Sequence, residues 1–225
     1  TESGALLKTI EGFTDWVNGI ATAENQDLLM TVSGDTSVRL WRKSDFSWLY
    51  TLEGHTDWVY ACALSANGKI AVSCACDKKV IVWNLREQKP ENEFTAHDGE
   101  VKNVSLTADG AVCASAGADG NVFVFRTEGI LLDRFQENGA VYGVAISRNA
   151  EKIAYCTETG KLIVRNLSSD KRFICIERAH DDKIHCLAAN QEFTRIVTGS
   201  DDAIVKLWNP ETGECLAELP AFNSK

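Results

Sequence analysis

Short apolar runs recur along the chain, and each ends on a large side chain: Val38-Arg39-Leu40-Trp41, Val80-Ile81-Val82-Trp83, Val122-Phe123-Val124-Phe125, Leu162-Ile163-Val164-Arg165 and Val205-Lys206-Leu207-Trp208. They are rich in β-branched residues, too short for helices and bounded by Gly, Asn and Asp, so they predict strands. Around the second run, Val59 to Leu64, Ile70 to Ser73 and Val80 to Trp83 are separated by Ala66-Asn67-Gly68 and Asp77-Lys78-Lys79. Asn-Gly and Asp-containing turns tolerate positive φ, which makes these strands hairpins. A further strand follows the closing residue, as in Leu49-Tyr50-Thr51-Leu52.

The five runs share one internal ruler. Six residues before each closing residue stand Asp35, Asp77, Asp119, Thr159 and Asp202, and 22 residues before those stand Phe13, His55, His97, Glu137 and His180. The step between copies is 42, 42, 40 and 43 residues, so length varies only in the connections. The copies span about 5–42, 47–84, 92–126, 130–166 and 172–209 within one domain, 1–225. Four strands per unit of this length predict an all-β propeller of five four-stranded blades.

The chain resembles the WD-repeat proteins through Gly54-His55, Asp77 and Trp83-Asn84, and again through Ala179-His180, Asp202 and Trp208-Asn209. In that family a histidine, a strand hydroxyl, the turn aspartate and the tryptophan form a hydrogen-bonded set inside the blade. The resemblance implies the sets His55, Ser73, Asp77, Trp83 and His180, Thr198, Asp202, Trp208. An Asp-His-Ser trio could also suggest a hydrolase, but one active site does not recur in three blades, so a structural role is expected. The third copy keeps His97, Ser115 and Asp119 but ends in Phe125; the first keeps Thr31, Asp35 and Trp41 but has Phe13 in the histidine's place. The fourth shows Glu137, Tyr155, Thr159 and Arg165, so its polar set reads as lost and the blade as the least rigid. Locally, the third and fourth copies resemble late blades of the receptor for activated C kinase through Ala108-Asp109-Gly110, Cys113-Ala114-Ser115 and Asp119-Gly120, which implies a signalling or ribosome-associated adaptor. The full repeat that follows the degenerate one departs from that blade order.

The family usually closes its ring with seven blades. Leu6 to Ile10 and Cys215 to Leu219 both read as an outer strand, the second lying within an extra segment 214–222, and they share one phase of the repeat. One would be redundant in a closed ring of five, so the reading favours part of a larger, seven-bladed propeller, or one completed by further blades or a second chain. A start at Thr1 with no methionine before Met30 points the same way.

Composition then narrows the function. The chain is 44% hydrophobic and 24% charged, which fits a folded globular protein, and it shows neither a secretory signal pattern nor an apolar stretch of membrane-spanning length. A net charge of −9 argues against nucleic acid as the main partner and weakly favours basic protein partners. Cys62, Cys74, Cys113, Cys156, Cys186 and Cys215 sit in apolar strand segments and read as buried thiols; the Cys74-x-Cys76 pair lacks a second pair at zinc-site spacing. The expected location is intracellular, in the cytoplasm.

No cofactor, metal or catalytic set is expected, so the leading reading is a non-catalytic interaction scaffold; the alternative is a small-ligand or enzymatic propeller with a site in its central channel. In the family, partners meet the face formed by the turn before each first strand and the aspartate turn. That face carries Trp16, Asn18, Trp58, Tyr60, Glu100, Lys102, Tyr142, Glu158, Lys183, His185 and Asp201, with Trp16 and Trp58 at matching positions as candidate anchors. Trp48 is expected to cover a blade rim.

Overall fold

The computed structural model describes residues 6, 8–167 and 173–220 of the 225-residue chain. The sequence-derived ends at residues 5, 172 and 221–222 lie outside these.

Twenty strands form five antiparallel four-stranded meanders. Blade 1 comprises β1 (Val17–Thr22), β2 (Leu28–Ser33), β3 (Val38–Arg42) and β4 (Trp48–Leu52). Blade 2 comprises β5 (Val59–Leu64), β6 (Ile70–Ala75), β7 (Val80–Asn84) and β8 (Lys89–Phe94). Blade 3 follows with β9 (Val101–Leu106), β10 (Val112–Gly117), β11 (Asn121–Arg126) and β12 (Ile130–Gln136). Blade 4 has β13 (Val141–Ile146), β14 (Lys152–Thr157), β15 (Leu162–Asn166) and β16 (Phe173–Ile176). Blade 5 has β17 (Ile184–Ala189), β18 (Ile196–Ser200), β19 (Ile204–Trp208) and β20 (Cys215–Pro220).

The turn before each third strand explains the recurring aspartate. Asp35, Asp77, Asp119 and Asp202 each accept the N–H two residues on, at 3.0–3.1 Å, which closes a tight turn through the side chain. The residue after the aspartate must then take a left-handed φ, as Lys78 does at 68°. In blade 3 glycine is required there, because a Cβ on Gly120 would lie 2.6 Å from the Glu137 carbonyl oxygen.

Apolar residues of successive blades pack face to face. Met30, Val32, Val38, Leu40 and Leu52 of blade 1 meet Val59, Ala71, Ile81 and Trp83 of blade 2, and the same pairing of faces recurs at the next three junctions. First strands pack in the order β1, β5, β9, β13, β17, whereas β17 and β1 do not pack as these neighbours do. The ring is therefore open between blades 5 and 1 among the described residues. At the lower end of its axis Arg148 lies 3.2 Å from Glu24, and Gln191 donates to Glu24 at 3.1 Å. They line a cavity of about 230 Å³ to which all five blades contribute.

The expectation of two competing outer strands is corrected on one side. Cys215–Pro220 pairs with β19 as the outer strand of blade 5, while Leu6 and Lys8–Ile10 form no strand. An extended segment needs a neighbouring ladder, and these residues have no third strand of a preceding blade beside them. The cysteine reading is corrected too. Cys74, Cys113 and Cys156 are buried and Cys62 is half-buried, but Cys186 and Cys215 are exposed, as is Cys175, and all eight are free thiols.

Candidate partner-binding face

The polar sets fall into place as chains of hydrogen bonds. In blade 2 the Trp83 indole N–H donates to Ser73 Oγ at 2.8 Å, Ser73 Oγ lies 2.8 Å from His55 Nε2, and His55 Nδ1 lies 2.9 Å from Asp77. The serine, having accepted from tryptophan, has its one proton left for Nε2, so the histidine carries its own on Nδ1 toward the carboxylate. Blade 5 repeats this with Trp208, Thr198, His180 and Asp202. Blade 3 keeps His97, Ser115 and Asp119, with Phe125 stacked on Phe94 at 4.2 Å where the indole would be. Blade 1 keeps the Trp41 to Thr31 bond; Phe13 fills the histidine's place under the Arg39 guanidinium, which pairs with Asp35 at 2.9 Å.

Blade 4 corrects the expectation of a lost set. Arg165 Nε donates to Tyr155 Oη at 2.7 Å, and Tyr155 donates to Glu137 at 2.9 Å. Glutamate, tyrosine and arginine thus stand where blades 2 and 5 have histidine, hydroxyl and tryptophan. Every buried side-chain nitrogen and oxygen among the described residues is paired.

These sets make stability depend on pH. Burial pushes the carboxyls of Asp77, Asp119 and Asp202 up, but bonds from the paired histidines and nearby N–H groups outweigh it, leaving all three below the ordinary aspartate value of 3.8. Burial holds His97 below its ordinary 6.5 despite Asp119. A depressed histidine stays neutral when folded, so unfolding takes up a proton and stability falls as pH drops below about 6.5; the aspartates withdraw theirs as pH falls below about 3.8. Urea midpoints should accordingly decline in two stages on acidification. A His97→Gln variant should lose the first stage, and retention of that stage would assign it elsewhere.

The upper rim owes its layout to a repeated irregularity. In every first strand one residue is skipped by the ladder: Val17 and Gly19 pair with Ser33 and Val32, leaving Asn18 as a bulge, and likewise Tyr60, Lys102, Tyr142 and His185. A bulge re-aims a side chain out of the pleat, and here it turns five register-equivalent residues toward the rim. Asn18 Nδ2 donates to the Val59 carbonyl of the next blade at 3.0 Å. Tyr60 donates to Glu100 at 3.3 Å, and Glu100 is paired with Lys102. The Lys102 ammonium lies 4.4 Å from the Tyr60 ring centre, and Lys183 lies 3.8 Å from that of Tyr142. Tyr142 meets His185 edge-on at 5.9 Å, and His185 bonds Asp201 at 2.7 Å.

At the start of this line Trp16 and Trp58 contact each other at 5.9 Å, with 72% and 40% of their surfaces exposed. Trp48 is 60% exposed on β4. Tyr60, Glu100, Lys102, Tyr142, Lys183, His185 and Asp201 thus form one connected strip, with Trp16, Asn18 and Trp58 at its blade 1 end, and the Glu158 N–H donates to the Ala140 carbonyl on the same rim.

Cys76 was not anticipated. Burial and the neighbouring Glu100 push its thiol up to about 11, so it stays a neutral thiol beside Glu100. Its place one residue before the turn aspartate, like Asp201, with Glu158 at the same position before Thr159, was the available signal. Among the described residues no group of three or more His, Cys, Asp or Glu could hold a metal ion.

Comparison with known proteins agrees with this geometry. The family model "WD domain, G-beta repeat" matches residues 4–42, 46–84, 88–126 and 171–209, passing over the blade with the Glu137, Tyr155 and Arg165 set. Periodic tryptophan protein 2 homolog of Mus musculus is 34% identical over 80 residues, 35% of this chain and 9% of that protein. Periodic tryptophan protein 2 of Saccharomyces cerevisiae is 31% identical over 75 residues, 33% of this chain and 8% of that protein. The chain thus matches less than a tenth of the length of either relative, over two blades' worth of sequence. With four matched repeats covering more than half of its residues, five four-stranded blades and their recurring hydrogen-bonded sets, the chain belongs to the WD40 repeat family.

Proposed function

We propose that this chain is a non-catalytic scaffold that binds protein or peptide partners on its upper rim, inside the cell and in the cytoplasm. The observation that carries the reading is the exposed Trp16/Trp58 contact at the head of the strip. Large aromatic rings held by neighbours lose little entropy on binding and bury much area, which makes them strong anchors. The polar groups nearest to catalytic chemistry, the aspartate, histidine and hydroxyl sets, are engaged with one another inside the blades. Eight free thiols, several in the core, suit a reducing compartment.

Replacing Trp16 and Trp58 together by alanine should weaken recovery of partners from cell extract about thirtyfold or more, the scale of two hot-spot residues. The melting temperature should move little, because both rings face solvent. Equal recovery by parent and variant would reject this face.

A second reading concerns the open junction. Val197, Val205 and Leu219 of blade 5 are 40%, 39% and 63% exposed, while their register equivalents in blade 1, Met30, Val38 and Leu52, are buried. On blade 1, Val17 is half exposed where Val59, Val101, Val141 and Ile184 are buried. The four existing junctions indicate what fits such faces, namely further blades of the same design. Cys186, the equivalent of Ala61, lies on the open face and reports on it. Its labelling by maleimide should be rapid in the 225-residue chain and about a hundredfold slower once a second copy of residues 43–126 is appended after residue 220. Unchanged labelling in that longer chain would exclude a blade as occupant.

A further inference from the structure

We infer that the Trp16/Trp58 pair receives an arginine or lysine side chain of a basic peptide segment in the partner; this rests on the scaffold reading of the same face. The strip itself carries the pattern. Tyr60 and Tyr142 are each covered by a cation of the chain, Lys102 at 4.4 Å and Lys183 at 3.8 Å. The two indoles, whose faces attract cations more strongly than phenol rings do, have no cation over them among the described residues. The strip therefore alternates ring and cation until its most exposed end, where the rings stand without one.

Charge complementarity points to the same ligand. Asp15 and Asp57 immediately precede the two tryptophans, and each accepts the N–H of its tryptophan at 2.7 Å, which fixes a carboxylate beside each ring. Neither carboxylate is in an ion pair among the described residues, whereas Glu100 is paired with Lys102 and Asp201 with His185. A cation seated on the indoles would find its counter-charge already in place, and the net charge of −9 favours its approach. An apolar side chain would use the rings but leave both carboxylates unanswered.

The probe is a fluorescein-labelled octapeptide of alternating glycine and arginine, measured by anisotropy at physiological salt against the same peptide with citrulline, which keeps the shape and removes the charge. The arginine peptide should bind at least about tenfold more tightly than the citrulline peptide. W16A/W58A should weaken it by about tenfold or more, D15N/D57N by about threefold, and W48A, an exposed tryptophan away from the pair, should leave it unchanged. Circular dichroism of each variant establishes that it is folded. Equal binding of the two peptides, arginine-peptide affinity that survives W16A/W58A, or no binding of the arginine peptide would each overturn the inference. If the arginine peptide fails while recovery of protein partners still depends on Trp16 and Trp58, the scaffold reading stands and this one falls.

Discussion

An Asp77→Ala chain is expected to lose about 3–5 kcal/mol of stability in urea denaturation, much of the roughly 5–15 kcal/mol that holds a domain together. The Asp77 side chain is almost fully buried and answers three donors: His55 Nδ1 at 2.9 Å, the Thr56 N–H at 3.0 Å and the Lys79 N–H at 3.0 Å. Alanine strands all three. The loss passes inward, because His55 holds the proton arrangement that lets Ser73 accept from Trp83. Asparagine keeps an oxygen for the turn but no charge, so Asp77→Asn should cost clearly less. Equal losses for the two variants would show that shape, not hydrogen bonding, is what the aspartate supplies.

In blade 4, Arg165→Trp installs the residue that blades 1, 2 and 5 carry at this place, a substitution of the kind that ordinarily stabilises a repeat. Here a loss of about 2–4 kcal/mol is expected. Arg165 holds Tyr155 Oη, which in turn holds Glu137, and its guanidinium packs at 4.8 Å from the ring centres of both Phe135 and Phe173. An indole has one N–H, cannot neutralise Glu137, and must share space with a tyrosine where other blades have serine or threonine. Burial pushes the Tyr155 phenol well above its ordinary value, so it remains a neutral donor that cannot replace the lost cation. Arg165→Met, which restores length without charge, should be similarly costly. A gain in stability with tryptophan would mean that blade 4 tolerates the repeat's common solution as well as its own.

Most of the fold was legible because a fixed ruler links each histidine, aspartate and tryptophan: the hydrogen-bond chain tolerates no insertion between them. Strand positions followed from the same ruler, and β5, β7 and β20 fall within a residue of the apolar runs that announce them. The blade 4 network was hidden because glutamate, tyrosine and arginine share no chemistry with the residues they replace; only their positions match. Leu6–Ile10 has a strand's pattern, but a strand is made by its neighbour, and no local sequence reports whether one is present. The exposure of Cys186 has the same origin, since its burial depends on a blade beyond its own.

On the rim, the candidate residues were found by their phase in the repeat, but what groups them was not visible. Asn18, Tyr60, Lys102, Tyr142 and His185 look unrelated in sequence, and a bulge leaves no side-chain signature at these positions. Cys76 escaped for a simpler reason, having been read only as half of a possible metal motif.

The bulges have a consequence for how such a face can change. A residue that the ladder skips takes part in no cross-strand pairing, and where its side chain reaches the next blade, as Asn18 and Tyr60 do, it does so at the rim, so its choice is set more by its neighbours on the face than by the ladder beneath. Five such sites, one per blade, are brought to one rim by a backbone that is the same whether the site holds asparagine, tyrosine, lysine or histidine. The molecule therefore behaves as a keyboard with a fixed frame: the keys can be exchanged singly or together, and a new partner can be accommodated without redesigning the strands beneath.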